Sequence, residues 1–293
     1  MSKPSIAFLG LGVMGYPMAG HLAKADYAVT VYNRSISKAE SWCKEYSGNC
    51  VSTPSAAAAN ADIVLVCVGN DDDVRSVVYG DDGALASMKA GAVLVDHTTT
   101  SAVLARELAH AAQQAGVGFI DAPVSGGQAG AENAVLTIMA GGEPVMFDSV
   151  SQALNVYARK CELMGEAGSG QLTKMVNQIC IAGLVQGLAE GLNFAELAGL
   201  DAHKVVEVIS KGAAQSWQME NRYETMLSGQ YNHGFAVEWM RKDLAYGIAE
   251  AKSHGAELAV TETVNDYYAE VLDLGGARWD TSSLLERLKQ RRS

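Results

Sequence analysis

Lys174 and Asn177 sit three residues apart in Gly168-Ser169-Gly170-Gln171-Leu172-Thr173-Lys174-Met175-Val176-Asn177-Gln178. At the start of a helix that spacing puts both side chains on one face. A partly buried lysine near the positive end of a helix has its charged form disfavoured. Such a lysine can trade a proton near neutral pH, which an exposed one does poorly. A second stretch, Asp121-Ala122-Pro123-Val124-Ser125-Gly126-Gly127, leads out of an apolar run. Ser125, Gly126 and Gly127 offer two backbone N–H groups and a hydroxyl, enough to hold a carboxylate without a positive side chain. Each stretch alone also reads as something plainer, a surface lysine beside a helix cap and a strand-to-helix turn.

A third stretch, Ile6-Ala7-Phe8-Leu9-Gly10-Leu11-Gly12-Val13-Met14-Gly15, supplies the context. Gly10, Gly12 and Gly15, with Leu11, Val13 and Met14 between them, form G-x-G-x-x-G after a short apolar run and before a helical pattern. Glycine lets the chain turn sharply there and lets a pyrophosphate approach the N–H groups of the helix start. This predicts a dinucleotide site.

The elements that must position these residues follow from periodicity. Strands are expected at Ile6–Leu9, Ala28–Tyr32, Ile63–Val68, Val93–Val95, Gly118–Ile120 and Leu136–Ala140, with a helix near 144–157 after the last. Alternation of strands and helices predicts parallel strands with helices on both faces, a doubly wound α/β sheet. Ligands in such sheets lie beyond the carboxyl ends of the strands. From about 166 the texture turns helical, with a long helix from Leu172 to about Leu197 and further helices near 202–212, 216–227, 237–254, 259–273 and 281–291. The expected division is a Rossmann domain over 1–165 and an all-α domain over 166–293. A helix of roughly 25 residues spans about 38 Å, and its small residues suit close packing between the two halves or between subunits.

The 293 residues carry a net charge of −11, which argues against a nucleic-acid surface. Five cysteines lack C-x-x-C or metal spacing, and six histidines form no cluster, so no metal is expected. Scattered, odd-numbered cysteines fit a reducing cytoplasm. The first apolar run is too short and glycine-rich for a signal peptide, and no charge-free stretch of about 18 apolar residues predicts a membrane span.

The second strand ends Val31-Tyr32-Asn33-Arg34-Ser35, with Asn33 placed 23 residues after Gly10. An NAD site usually carries an acid there for the ribose 2′-hydroxyl. Its absence, with the planar fork of Arg34 and the donor of Ser35, predicts NADP(H) in preference to NAD(H).

Together the blocks resemble the β-hydroxyacid dehydrogenase family over nearly the whole length. The matching pieces are Gly10–Ala19, Asp121–Gly130, Gly168–Lys174 and Arg241-Lys242-Asp243-Leu244. The resemblance implies a Rossmann domain joined by a long helix to an all-α domain. It implies that Lys174 is the catalytic acid/base, Asn177 holds the substrate, and Ser125, Gly126 and Gly127 form the substrate loop. It also implies that Lys242 lies near the cofactor, that Thr99 lies close to the nicotinamide ribose, and that Val68 and Gly69 line the cofactor. The substrate would be a small hydroxy acid or its semialdehyde, and the assembly a homodimer or homotetramer. Gln178 stands where many members have a second asparagine, and Ala134-Val135-Leu136-Thr137 departs from the family's Gly-Thr-Leu-Thr. Trp217, Met219, Phe235 and Trp239 are candidates for the far wall of the pocket. An imine reductase of the same architecture and a non-catalytic dinucleotide sensor are the competing readings, and Lys174 disfavours both.

Overall fold

The computed structural model describes residues 3–292, which form two compact units, one running to Lys174 and the other beginning at Met175. In the first unit β1 (Ile6–Leu9), β2 (Val29–Tyr32), β3 (Asn49–Val51), β4 (Ile63–Val66), β5 (Val93–Asp96) and β6 (Gly118–Asp121) line up as β3-β2-β1-β4-β5-β6, all parallel. The helices between them are α1 (Gly15–Lys24), α2 (Ile36–Glu45), α3 (Pro54–Ala58), α4 (Asp71–Tyr79) and α5 (Ala102–Gln114). β1, β4, β5 and β6 are buried along their whole length, so their sequences read as unbroken apolar runs. Alternate residues feed two layers. Ile6 and Phe8 join Met18, Leu22, Val31 and Trp42 on one face, and Ala7 and Leu9 join Val64, Leu94, Leu104 and Leu108 on the other.

Past β6 the sheet departs from the parallel expectation. β7 (Val124–Ser125), α6 (Gly127–Glu132) and β8 (Leu136–Gly142) follow, and β8 runs antiparallel to both β6 and β7. The helix α7 is shorter than expected, Pro144–Leu154, because the chain turns into β9 (Ala158–Gly165), which pairs in parallel with β8. β3 and β9 were not legible as strands. Both lie outermost, β3 is three residues long, and β9 carries Arg159, Lys160 and Glu162 on a largely exposed ribbon.

α8 (Ser169–Leu197) is continuous over 29 residues. By length and a mean hydropathy of 1.2 it could cross a membrane, but 44% of that apolar window is buried in the protein, and Lys174, Glu190 and Glu196 punctuate it. The two compact units divide within α8, between Lys174 and Met175. Ser169–Lys174, the first turn and a half of α8, belongs with the sheet, for reasons visible in its hydrogen bonds below.

The second unit contains the rest of α8 with α9 (Ala202–Ile209), α10 (Trp217–Leu227), α11 (Val237–Ser253), α12 (Ala259–Asp273) and α13 (Leu284–Gln290). Ala182, Val185, Ala189 and Leu192 form the inward stripe of α8 and meet Met226, Met240, Leu244, Val264 and Tyr268. Asp201 and Ser216 cap α9 and α10, which satisfies N–H groups that a helix start otherwise leaves open.

Candidate functional site

The glycine loop follows β1. Gly10 has φ +102°, and a Cβ there would drive into the Cys67 carbonyl, while a Cβ on Gly15 would strike the Gly10 carbonyl. Only glycine fits at either position. Gly12 differs, since a Cβ there meets nothing within 4 Å. The protein's own packing therefore leaves Gly12 unconstrained, as expected where a pyrophosphate must come close. The start of α1 has no side-chain cap and no acid in its first turn, which leaves its positive end for an anion. These residues fit a dinucleotide.

Asn33 is tied into this loop. Leu11 N donates to Asn33 Oδ1 at 2.9 Å, and Asn33 Nδ2 donates to the Ser35 carbonyl at 3.1 Å. A carboxylate could make the first bond but not the second, so Asn33 clasps the β2 turn as well as removing a charge. Arg34 projects outward, with its side chain 89% exposed and 3.5 Å from Asp73. Val68 and Gly69 follow β4, and Val68 N donates to Thr98 Oγ1 at 3.0 Å. Thr99 is half-buried between the buried Thr98 and Thr100.

Lys174 is 7% exposed, and its Nζ donates to the Val124 carbonyl at 2.8 Å. It is thereby held one residue from Ser125, the start of the loop in which Gly126 (φ +134°) and Gly127 (φ +61°) open to solvent. The structure thus joins two of the blocks singled out in the sequence.

The groups that hold Lys174 there lie at the end of β6 and at the start of α8. Asp121, at the end of β6, accepts hydrogen bonds from Gly168 N (2.7 Å) and Gln171 N (2.9 Å). A Cβ on Gly170 would sit 2.8 Å from Asp121 Oδ2, and one on Gly141 would sit 2.6 Å from Asp121 Oδ1. Two glycines therefore admit a carboxylate to the start of α8. Burial pushes the Asp121 carboxyl up to about 6, against the pull of its backbone donors. Its cross-strand neighbour Asp96 is pushed up to about 7, again by burial. Asp96 Oδ1 accepts from Thr98 N, while Oδ2 is buried with no hydrogen-bond partner among the described residues. His97 bonds the Ala122 carbonyl through Nδ1 (2.7 Å) and the Tyr157 hydroxyl through Nε2 (2.9 Å). A carbonyl only accepts, so Nδ1 carries the proton and Nε2 receives the tyrosine's. Burial lowers His97 to about 4.

In the helical unit, Asn177 Nδ2 donates to Gln178 Oε1 at 2.8 Å, and Gln178 Nε2 donates to Asp243 Oδ2 at 2.6 Å. Lys242 Nζ lies 2.9 Å from Asp243 Oδ1. Asn177 and Lys242 are thus linked through two residues, Gln178 and Asp243, to which no role had been given. Asp243 had a legible signal, an acid between Met240 and Leu244 on a buried helix face. Of the four wall candidates, Met219 is core. Trp217 is half exposed under Arg222, 4.8 Å from its ring, and Phe235 is likewise partly open. Among the described residues no group of three His, Cys, Asp or Glu side chains is placed to hold a metal.

Residues 5–165 match the family model described as the NAD binding domain of 6-phosphogluconate dehydrogenase. Residues 168–288 match the one described as NAD-binding of NADP-dependent 3-hydroxyisobutyrate dehydrogenase. The chain is 60% identical over 288 residues to a protein of Shewanella frigidimarina named uncharacterized oxidoreductase, spanning 98% of this chain and 99% of that one. It is 30% identical over 284 residues to the 2-hydroxy-3-oxopropionate reductase of Escherichia coli, 97% of each chain. Among solved structures, the 3-hydroxyisobutyrate dehydrogenase of Mycobacterium tuberculosis with L-serine superposes with a TM-score of 0.87 at 28% identity, over 98% of this chain and 99% of that one.

Proposed function

The chain belongs to the β-hydroxyacid dehydrogenase family of NAD(P)-dependent oxidoreductases, and on that premise we propose that it interconverts a small β-hydroxy acid and its semialdehyde with NADP(H) in preference to NAD(H). Gly10–Gly15, Asn33, Arg34, Ser35, Val68, Gly69, Thr99 and Lys242 would hold the cofactor. When bound, the cofactor supplies or takes up the hydride. Ser125 Oγ and the N–H groups of Gly126 and Gly127 receive the substrate carboxylate. Asn177 fixes the reacting oxygen. Lys174 gives that oxygen a proton in reduction and takes one in oxidation. Charge grows on the oxygen as the reaction proceeds, so an ammonium there binds the transition state better than the ground state.

The observation that carries the reading is the buried Lys174, bonded to Val124 immediately before the Ser125 loop. It supports the reading because a buried amine lies beside the loop proposed to receive the carboxylate. A panel of small semialdehydes and hydroxy acids, run with both cofactors, tests it. Turnover of at least one acid-bearing aldehyde, faster with NADPH, is expected; turnover of imines alone would overturn the reading. We also propose a homodimer or homotetramer, supported by the exposed Phe194 and Leu197 on α8. A monomer mass at micromolar concentration would contradict that.

A further inference from the structure

Residues 97–101, between β5 and α5, must find partners for their backbone groups away from the strand ladder. His97 N reaches the Val66 carbonyl, Thr98 N reaches Asp96, and Ser101 N reaches Asp71 Oδ1 at 3.0 Å. Thr100 N donates to Gln171 Oε1 at 3.1 Å, and Gln171 Nε2 donates to the Thr98 carbonyl at 2.8 Å. The Gln171 side chain is entirely buried, where an unmade amide bond would be costly. Its two ends grip both sides of Thr99. Its backbone N–H is meanwhile held by Asp121. Gln171 precedes Lys174 by three residues on α8, so the two project from one face of the helix.

From these contacts we infer that Gln171 is a positioning residue that sets the placement of Lys174 relative to the Thr98–Thr100 segment. A continuous line of contacts runs from Val68 through Thr98 to Gln171, along one helical turn to Lys174, and on to Val124. The grip is directional. An amide both donates and accepts here, whereas a leucine does neither and an ionised glutamate only accepts. The inference rests on the proposed roles of Lys174 as proton carrier and of Thr99 at the cofactor. Proximity and orientation of reacting groups are costly to lose, and small misplacements lower rates by large factors.

The test uses Gln171→Leu and Gln171→Glu in the full chain, with turnover normalised to the number of NADPH-binding sites measured by fluorescence titration. Gln171→Leu is expected to lower kcat per binding site at least about 10-fold, with NADPH affinity within about 3-fold of wild type. Gln171→Glu, able to donate to Thr98 only when protonated, is expected to regain kcat relative to wild type as pH falls from 8 to 6. A purely space-filling role predicts a loss that tracks the number of intact binding sites, and that result overturns the inference. Hydrogen exchange provides a readout independent of turnover. Faster exchange at Thr98–Thr100 and at the first turn of α8 in Gln171→Leu supports the grip, and unchanged exchange contradicts it. If wild type turns over no substrate, the proposed function fails, and exchange still decides the grip.

Discussion

Lys174 and Arg34 are both basic side chains beyond the sheet's carboxyl edge, and the protein holds them in opposite ways. Lys174 is buried, bonded to Val124, and sits on a helix whose first turn is pinned by Asp121 and Gln171. Arg34 is almost wholly exposed, and its partner Asp73 is 3.5 Å away at the surface. An exposed pair of that kind is worth well under about 1 kcal/mol. The difference suits the two tasks proposed for them. A group that transfers a proton must be placed before the substrate arrives, because its effect depends on geometry in the transition state. A group that recognises a phosphate can wait in water and order itself on binding, and it then contributes affinity alone.

Lys174→Ala removes the buried amine altogether. Turnover is expected to fall about 10²-fold or more, the scale of a positioned acid/base, with NADPH binding retained; near-normal steady-state turnover would sink the role. Arg34→Ala sharpens the other side. NADPH affinity should drop about 10-fold, the worth of one charge-assisted hydrogen bond, while NADH affinity and kcat hold. Fluorescence titration with both cofactors checks this, and equal losses for the two would refute a 2′-phosphate contact.

The smallest expected effect is on stability and comes from the acids behind Lys174. Asp96 and Asp121 are pushed up to about 7 and about 6 in the folded protein, against about 4 unfolded. Across that interval the folded state binds more protons, so their contribution to stability declines as pH rises from about 4 to about 7. His97, lowered to about 4, works the other way and costs stability as pH falls below about 6.5. Asp96→Asn removes a buried carboxyl whose Oδ2 has no partner among the described residues. It should raise stability by on the order of 1 kcal/mol at pH 8 and by less at pH 5. Urea unfolding at the two pH values measures this, and an equal change at both would contradict the assignment.

The fold was legible wherever burial on two faces leaves an apolar run, as at Ile6–Leu9 and Gly118–Asp121. It was illegible at the β9 edge, where Arg159, Lys160 and Glu162 hide a strand behind charge. Nothing in the residues of β8 announces its reversed direction, because strand composition does not encode the direction of pairing. At the site, Lys174, Ser125 and the glycines stood out because each residue type is unusual for its place. Gln171 and Asp121 lie inside the same motifs without standing out. Their partners are backbone groups 47 to 73 residues away in sequence, and bonds to backbone leave no residue-type pattern to read. The residue type of Asn33 signals only a missing charge, whereas its amide also ties Leu11 to Ser35.

In the proposed reaction Lys174 moves a proton and does more than supply positive charge. Lys174→Arg keeps the charge but cannot give up its proton in the working range. Its kcat for oxidation of the hydroxy acid, at saturating NADP⁺, is the most direct measure. A fall comparable to that of Lys174→Ala is the predicted result, and turnover near wild type would contradict the account.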